Sequence, residues 1–282
     1  MSLDATPVGL GAYGVWLPQH DVNEDVAAEI ERLGYGTLWI GGSPTADLEP
    51  VATALAATSR LAVATGIVNI WTAPAAEVAD AYRRLESAYP GRFLLGVGAG
   101  HREVDGAGAV RPMAGMRAYL DLLDDEGVPV NRRVLAALGP KVLRLSAERA
   151  AGAHPYLVNP AHTRTARGVL GDGPLLAPEH KLVLGEDAER TRSAARQGMS
   201  FYLDIRNYRA NLERLGFTAS DFADGGSDAL IDAVVAQGSP RNVAAALRAH
   251  LDAGADHVVA QPLAGECGLL GSLARLAPEL TG

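Results

Sequence analysis

The sequence contains very little cysteine and few aromatic residues. Its 282 residues include one cysteine, Cys267, and aromatic residues make up 5% of the chain. A single cysteine excludes an internal disulfide, and the residues around it show no thiolate-activating signature. We therefore expect a protein of a reducing compartment that folds without covalent cross-links.

Long hydrophobic runs and an excess of positive charge are also lacking. The two most apolar stretches, 61–71 and 93–100, are interrupted by polar residues or glycine and are too short to cross a bilayer. With 25 Lys and Arg against 33 Asp and Glu, the net charge is −8, which disfavours nucleic acid or an anionic membrane as main partner. The start, residues 1–4, lacks a secretory signal pattern. We expect a cytoplasmic protein that acts on a small molecule.

Several signatures of hydrolytic and metal chemistry are absent as well. The seven histidines form no His-x-His pair and no His-Glu-x-x-His motif, so the ligand spacing of a catalytic metal site is lacking. The sequence also lacks a Gly-x-Ser-x-Gly elbow and a nucleotide-binding phosphate loop. These absences disfavour serine and metal chemistry, and we predict no metal site.

What the sequence does contain is a recurring unit of amphipathic helix, glycine and short apolar run. Because 48% of the residues are hydrophobic, the chain can bury a large core. The glycine ends a helix in the left-handed conformation, and the apolar run then enters a sheet. Helices between such runs predict parallel strands. Three copies are residues 29–40, 147–158 and 250–260.

Eight strands are predicted, with a mean spacing of about 35 residues, which is typical of a (β/α)8 TIM barrel. An open doubly wound sheet is the alternative, but no glycine-rich dinucleotide fingerprint follows the first strand. We predict a single α/β barrel domain spanning residues 1–282. The strands are expected to start near Gly11, Thr37, Leu61, Arg92, Arg133, His154, His180 and Asp256.

An insertion is predicted after the seventh strand, because the interval between His180 and Asp256 is about twice a normal unit. Residues 201–236 carry two further helical patterns, around 202–215 and 228–235. Loops after barrel strands surround the mouth where active sites form, so this segment is a candidate lid. The alternative is a packing elaboration on the side of the barrel.

Glycines mark the ends of the third and fourth strands. Gly66 lies inside the third apolar run, where a glycine often indicates a bulge or a close ligand approach. Gly96, Gly98 and Gly100 alternate at the end of the fourth run and precede His101. Alternating glycines remove the side chains from one face, which would let a flat ring lie against the backbone. Tight packing of the barrel layers is the alternative.

The fifth apolar run ends at Leu138 and is followed by Gly139, Pro140 and Lys141, which open a helix. Free N–H groups at a helix start favour an anion, and Lys141 would add a full positive charge. The segment therefore predicts a phosphate cup, although a plain helix start with proline has the same pattern.

Two tryptophans, Trp16 and Trp71, fall at the ends of the first and third predicted strands. Aromatic residues at a barrel mouth suit stacking on a planar substrate. A hydrophobic collar under the lid would use the same residues, and the sequence leaves both interpretations open.

Taken together, these segments resemble the bacterial-luciferase-like monooxygenase superfamily, in particular its actinobacterial branch that uses the deazaflavin coenzyme F420. The order and spacing of the motifs carry the resemblance, which covers nearly the whole chain. The matching segments are residues 33–40, 64–69, 91–98, 111–120, 138–141, 152–156 and 176–180.

The resemblance implies a deazaflavin or flavin ring at the carboxyl-terminal mouth of a (β/α)8 barrel, and it implies a homodimer. It also implies a non-proline cis peptide, matched here by Gly66–Ile67, behind the ring. A phosphate contact after the fifth strand and a loop after the fourth strand complete the implied site. The cofactor-binding residues are then Gly66, Ile67, Val68, Asn69, Gly98, Ala99, Gly100, His101, Leu138, Gly139, Pro140, Lys141 and His154.

His101 is our candidate catalytic residue. Hydride chemistry would belong to the cofactor, whereas the protein would supply orientation and a proton. An imidazole titrates near neutral pH and can act in either protonation state; a histidine that satisfies loop backbone is the alternative. Arg102, Arg206 and Arg209 could meet the acidic tail of coenzyme F420, or they could be solvated surface residues.

Two departures from the family pattern bear on the substrate. Relatives that oxidise glucose 6-phosphate carry an Asp-His pair where this chain has Gly41-Gly42, and a glutamate where His101 stands. We therefore expect a different substrate. Three functions stay open: a coenzyme F420-dependent oxidoreductase, an FMN-dependent monooxygenase with a separate reductase, and a non-catalytic barrel that binds a flavin-like molecule.

Overall fold

Parallel β-strands form one sheet in the structure, a computed structural model that describes residues 8–101, 103, 111–263 and 267–281. The strands are β1 (Tyr13–Pro18), β2 (Thr37–Gly41), β3 (Ala62–Thr65), β4 (Val68–Asn69), β5 (Phe93–Gly98), β6 (Arg133–Ala136), β7 (Gly152–His154), β8 (Leu175–Leu176), β9 (Glu179–Leu184), β10 (Val235–Gly238) and β11 (Val258–Pro262).

The sheet closes into a barrel through residues 175–184, which we call the closing strand. Its first part, β8, pairs with β7, and its second part, β9, pairs with β11. The two residues between these parts are hydrogen-bonded on both sides: Ala177 N donates to Ala153 O at 2.9 Å, and Val259 N donates to Pro178 O at 2.9 Å. Because β11 pairs with β1, the order of strands returns to its start, and the predicted (β/α)8 barrel is confirmed.

Helices surround the barrel and cover its apolar outer face. None of the helices in the described ranges is both long and apolar enough to span a membrane. The helices are α1 (Glu24–Arg32), α2 (Glu49–Ala56), α3 (Ala75–Ala88), α4 (Pro112–Asp125), α5 (Pro140–Arg149), α6 (Pro160–Leu170), α7 (Ala188–Leu203), α8 (Arg206–Arg214), α9 (Asp228–Val234), α10 (Pro240–Asp252) and α11 (Gly268–Leu280), with 3-10 turns at Gln19–Asp21, Val130–Arg132 and Ala219–Gly225.

All eight predicted strands are present, with two differences in detail. The third is divided into β3 and β4, and the cis peptide bond Gly66–Ile67 lies between the two parts. The sixth, β7, begins at Gly152, so that His154 ends this strand rather than opening it. His154 consequently lies at the carboxyl-terminal side of the barrel, where the site is expected.

The predicted insertion differs more from the structure. Tyr202 belongs to the last turn of α7, and a separate helix, α8, follows after two residues. The second helical pattern ends at Val234, and β10 then adds a parallel strand to β9. The sequence analysis missed β10 because its apolar start, Val235, directly continues the buried face of α9, which includes Ile231.

The alternating glycines of β5 make room for protein atoms. A Cβ atom on Gly96 would overlap the carbonyl oxygen of Thr65, and Thr65 Oγ1 exchanges hydrogen bonds with Gly96 at 2.7 and 2.8 Å. A Cβ atom on Gly98 would come within 2.6 Å of Ile67 Cγ1. The face that lacks side chains is thus filled by β3 and by Ile67. At Gly96 and Gly98 the glycines therefore allow tight packing of the barrel, which was the alternative to a flat ring lying against the backbone.

We predict that Gly96→Ala destabilises the protein by at least about 3 kcal/mol, because the new methyl group collides with backbone that cannot rotate away. Gly168→Ala is the matched control, since a Cβ atom there meets no atom within 4 Å and alanine stabilises a helix interior by about 0.5–1 kcal/mol. Chemical denaturation of the two variants measures both effects. Equal stability of Gly96→Ala and the unmodified protein would contradict the assigned contact.

Candidate functional site

Trp16 and His154 meet beside the cis peptide at the barrel mouth. Trp16 Nε1 donates a hydrogen bond to Gly66 O at 3.1 Å, and a Cβ atom on Gly66 would lie 3.3 Å from His154 Nε2. A Cβ atom on Gly41 would overlap the Trp16 indole. Trp16 therefore occupies the space that a side chain at position 41 would need, which gives a physical reason for glycine there.

His154 presents an unprotonated nitrogen at this wall. Its Nδ1 atom lies 2.7 Å from Ala177 O, so Nδ1 carries the hydrogen and Nε2 is an acceptor. The ring is buried and stacks on Trp39, with centroids 4.2 Å apart. Burial lowers the pKa of His154 to about 4, so the ring stays neutral near pH 7. In the described part of the chain Nε2 has no hydrogen-bond partner.

A second, adjoining wall contains a buried ion pair on the closing strand. Glu179 and Lys181 alternate along β9 and therefore share one face; both are fully buried. Lys181 Nζ lies 3.0 Å from Glu179 Oε1 and 3.1 Å from Gln261 Oε1. The other carboxylate oxygen of Glu179 accepts from Leu157 N at 2.8 Å. Burial is the main cause that lowers the pKa of Lys181 to about 8 and raises that of Glu179.

Three tyrosines, which we call the tyrosine cluster, cover this ion pair: Tyr156, Tyr202 and Tyr208. Lys181 Nζ lies 3.7 Å from the ring centroid of Tyr156 and 4.5 Å from that of Tyr202. The hydroxyl oxygens of Tyr156 and Tyr202 are 2.9 Å apart. Burial raises the pKa of all three phenols. The cluster thus forms an aromatic and hydrogen-bonding wall beside Trp16, whose ring centroid is 5.5 Å from that of Tyr156.

His101 is held by the insertion through both ring nitrogens. Its Nδ1 atom lies 3.1 Å from Asn207 Oδ1, and its Nε2 atom lies 3.0 Å from the Tyr208 hydroxyl. Because an amide oxygen only accepts, Nδ1 carries a hydrogen, and in a neutral ring Nε2 accepts from Tyr208. Helix α8 therefore contacts the loop after β5, so the insertion lies at the mouth.

The expected phosphate cup is lined by more polar groups than were predicted. Gly139 caps α5, and Arg214 Nη2 lies 4.0 Å from the position of a Cβ atom on Gly139. Arg214 Nη2 donates to Asn211 Oδ1 at 3.2 Å. His162 Nε2 lies 3.0 Å from Leu138 O. Asn211 Nδ2 and His162 Nδ1 are buried, and neither has a hydrogen-bond partner among the described residues.

Trp71 has packing contacts away from these walls. Its Nε1 atom donates to Ala99 O at 2.7 Å, and its ring lies against Gly115 of α4, where a Cβ atom would overlap it. Its backbone N–H donates to Asn69 Oδ1 at 3.0 Å, which orients this buried amide. Of the two predicted substrate-stacking residues, the structure brings Trp16 to the tyrosine cluster, whereas Trp71 joins β4 and the loop after β5 to α4.

The arginines expected near an acidic tail are only partly described. Arg102 lies outside the described residues. Arg206 and Arg209 lie on α8, and Arg209 Nε is 3.5 Å from Glu213 Oε1. Lys141 is exposed at the start of α5. Basic groups of α8 and α5 thus lie on the same side of the barrel as the cup.

The sequence analysis missed most of the polar wall. One signal was available: Glu179 and Lys181 occupy alternate positions of a strand that the barrel must bury, and charges there require partners. The residues on the helices of the insertion carry no such signal, because the sequence does not specify how the insertion crosses the mouth and therefore which residues it contacts. The missed residues are Glu179, Lys181, Gln261, Tyr156, Tyr202, Tyr208, Asn207, Asn211 and Arg214.

Comparison with known proteins confirms the resemblance to luciferase-like proteins. Residues 6–125 match the family model of luciferase-like monooxygenases. A search of curated proteins gives no match. Within the ranges that the structure describes, no group of three or more His, Cys, Asp or Glu side chains could hold a metal ion.

Solved structures show the same fold over nearly the whole chain. One is an F420-dependent secondary alcohol dehydrogenase in complex with an F420-acetone adduct (13% identity, TM-score 0.74, 96% of this chain and 98% of that chain covered). Another is the coenzyme F420-dependent tetrahydromethanopterin reductase from Methanopyrus kandleri (16%, 0.75, 96% and 99%). A third is the FMN-bound oxygenating constituent of 3,6-diketocamphane monooxygenase from Pseudomonas putida (16%, 0.67, 96% and 98%). These likenesses show that the chain shares their (β/α)8 barrel fold.

We predict that the protein loses stability as the pH falls from 6.5 towards 4. Burial lowers the pKa of His154, His180 and His257 to about 4, whereas unfolded histidines titrate near 6.5. In this window the unfolded chain binds more protons than the folded one. Each buried histidine therefore lowers the free energy of unfolding by about 2 kcal/mol at the acidic end. Urea unfolding at several pH values measures the slope.

His180→Gln should flatten that slope, since it removes one of the buried groups that the unfolded state protonates. His20→Gln is the control, because the His20 side chain is 77% exposed, and it should leave the pH dependence unchanged. An identical slope in both variants would show that buried histidines do not set the acid response.

Proposed function

We propose that the protein is an oxidoreductase that binds coenzyme F420 in the barrel mouth and transfers a hydride between it and a small organic substrate. The observation that carries the proposal is a pair of buried polar atoms that have no hydrogen-bond partner among the residues that the structure describes. They lie at the two places where the family resemblance puts the cofactor: the acceptor His154 Nε2 beside the cis peptide, and the donor Asn211 Nδ2 near the cup.

The cup suits the phosphate of such a cofactor. The first-turn N–H groups of α5, the amide of Asn211 and the cations Lys141 and Arg214 are donors of the kind that bind phosphate oxygens. Leu138, Gly139 and Pro140 supply the backbone around them. Arg206 on α8 adds positive charge, which favours coenzyme F420 with its acidic tail over FMN, whereas the charge of Arg209 is paired with Glu213.

The ring would lie near Gly66 to Asn69 and near the loop from Gly98 to His101. His154 Nε2 offers an acceptor to a ring N–H group, because its own hydrogen is on Nδ1. When bound, the deazaflavin supplies the hydride chemistry. The protein contributes a wall that excludes water and holds the reacting partners in one orientation.

The contacts of His101 with Tyr208 and Asn207 support a role for His101 and Tyr208 in delivering the proton. A protonated His101 donates through Nε2 to the Tyr208 oxygen, and the Tyr208 hydroxyl hydrogen is then free to pass to a substrate oxygen. Asn207 holds Nδ1 throughout and so fixes the ring orientation. Proton transfer of this kind typically contributes about 100- to 10,000-fold to a rate.

Cofactor binding is predicted to distinguish the three functions. We expect coenzyme F420 to quench the intrinsic fluorescence of the purified protein on binding, and Arg214→Ala to weaken this binding about tenfold, the effect of one charge-assisted hydrogen bond. Arg60→Ala, an exposed arginine before β3, is the control. Tight binding of FMN without binding of coenzyme F420 would support the monooxygenase, and binding of neither would support the non-catalytic barrel.

His101→Ala is predicted to lower kcat by about 100-fold or more, because the proton source is lost, while the dissociation constant of coenzyme F420 stays within about threefold. Tyr208→Phe should have a similar effect, since it interrupts the same path. Steady-state kinetics and cofactor titration separate the two quantities. Unchanged turnover in His101→Ala would remove this residue from the mechanism.

A further inference from the structure

We propose that the wall of Tyr156, Tyr202 and Lys181 binds the oxygen of an uncharged, flat carbonyl substrate and stabilises the negative charge that develops there during reduction. This inference rests on the proposed function, because it assigns the substrate side of the same mouth. The hydroxyl groups of Tyr156 and Tyr202 touch the substrate oxygen, and Lys181 acts as a positioning residue behind them.

The two hydroxyl groups provide the hydrogen-bond donor. Their oxygens are 2.9 Å apart, so one hydroxyl donates to the other. A pair of phenols has two hydrogens, and this mutual bond uses one of them. Tyr202 also has a hydrogen bond with the side chain of Gln261, whose Oε1 atom accepts from Lys181. With the Gln261 amide nitrogen donating to Tyr202 and Tyr202 donating to Tyr156, the Tyr156 hydroxyl hydrogen is directed to a ligand oxygen at the half-buried surface of the pair. Donors fixed in place before reaction are the arrangement that stabilises a developing oxyanion.

Lys181 strengthens this donor through the aromatic rings. Its ammonium group is fully buried and lies 3.7 Å from the ring centroid of Tyr156 and 4.5 Å from that of Tyr202. A cation over a ring favours the more electron-rich state of that ring. When a phenol donates its hydroxyl hydrogen to a negative oxygen, its own oxygen and ring gain electron density. The attraction between the ring and the Lys181 ammonium group therefore increases.

The charge balance and shape of the wall define the substrate class. Glu179 pairs with Lys181 at 3.0 Å, so the wall has no net charge to attract an anionic substrate. Trp16 packs against Tyr156, with ring centroids 5.5 Å apart, and the half-buried rings of Tyr156 and Tyr202 give this wall its aromatic surface. Aromatic faces bind flat, conjugated molecules well. An aryl ketone or aldehyde fits these requirements.

The reaction balances with the groups already assigned. The carbonyl carbon accepts a hydride, which is one proton with two electrons, from the reduced cofactor of the proposed function. The π electrons of the C=O bond move to oxygen, which the phenol pair stabilises. A proton from His101 by way of Tyr208 then converts this oxygen into the hydroxyl group of the product alcohol.

The test uses 4-nitrophenol as a probe, because its phenolate is a flat aromatic oxyanion whose ionisation is visible by absorbance. The probe is titrated into the protein without cofactor, at a pH below the probe's own pKa. We expect it to bind as the phenolate. Tyr156→Phe and Tyr202→Phe should each weaken binding about tenfold, equivalent to one pKa unit of lost stabilisation.

Two further variants sharpen the test. The double variant Glu179→Gln, Lys181→Gln removes both charges without leaving one unpaired, and it should bind the probe only in its neutral form. Tyr13→Phe changes a tyrosine of β1 that packs with the main core outside the lumen, and it should bind the probe like the unmodified protein.

Neutral binding, absence of binding, or equal phenolate binding in the tyrosine variants would overturn the inference. The probe titration involves no cofactor, so its result is separate from the coenzyme F420 titration. Phenolate binding without coenzyme F420 binding would leave the oxyanion wall standing and reject the proposed function. Coenzyme F420 binding without phenolate binding would reject the oxyanion wall and leave the proposed function standing.

Discussion

The hydrogen bonding of the closing strand on both of its edges is the constraint on which the rest of the structure depends. Its first part pairs with β7 and its second part with β11, so residues 175–184 complete the barrel. The same strand carries Glu179 and Lys181 into the lumen, where their ion pair supports two tyrosines. Barrel closure and the chemistry of one wall are therefore properties of a single ten-residue segment.

The fold was largely predictable from sequence because its signals are local. Helix, glycine and apolar run recur at a regular spacing, and a capping serine with proline marks the start of α10. The prediction was wrong where two signals merged: β10 follows α9 without a turn residue, so its apolar start was indistinguishable from one more helical position. The glycines of β5 were recognised in the sequence. Which atoms fill the space beside them depends on the packing of β3, which is a tertiary contact that the local sequence does not specify.

The candidate site was predictable to a smaller extent, for a related reason. Residues at the ends of strands, such as Trp16 and the Gly66–Ile67 pair, follow from strand positions alone. Residues such as Tyr208 and Arg214 reach the mouth only because α8 turns back across it, and sequence spacing does not specify that path. The two faces of α8 have different tasks in consequence, since Tyr208 contacts His101 whereas Arg214 lies near Gly139.

The packing of Trp16 over Gly41 and Gly66 has a consequence for engineering this barrel. The Trp16 indole lies directly against the backbone of Gly41 and Gly66, so almost any larger residue at these two positions would require the chain to move. Tyr156 and Tyr202 on the adjoining wall are half-buried, so substitutions there can change the shape of the lumen without moving the backbone. Directed evolution of substrate range should therefore succeed from one side of the lumen, with accepted changes concentrated around Tyr156 and Tyr202 and few at the glycines.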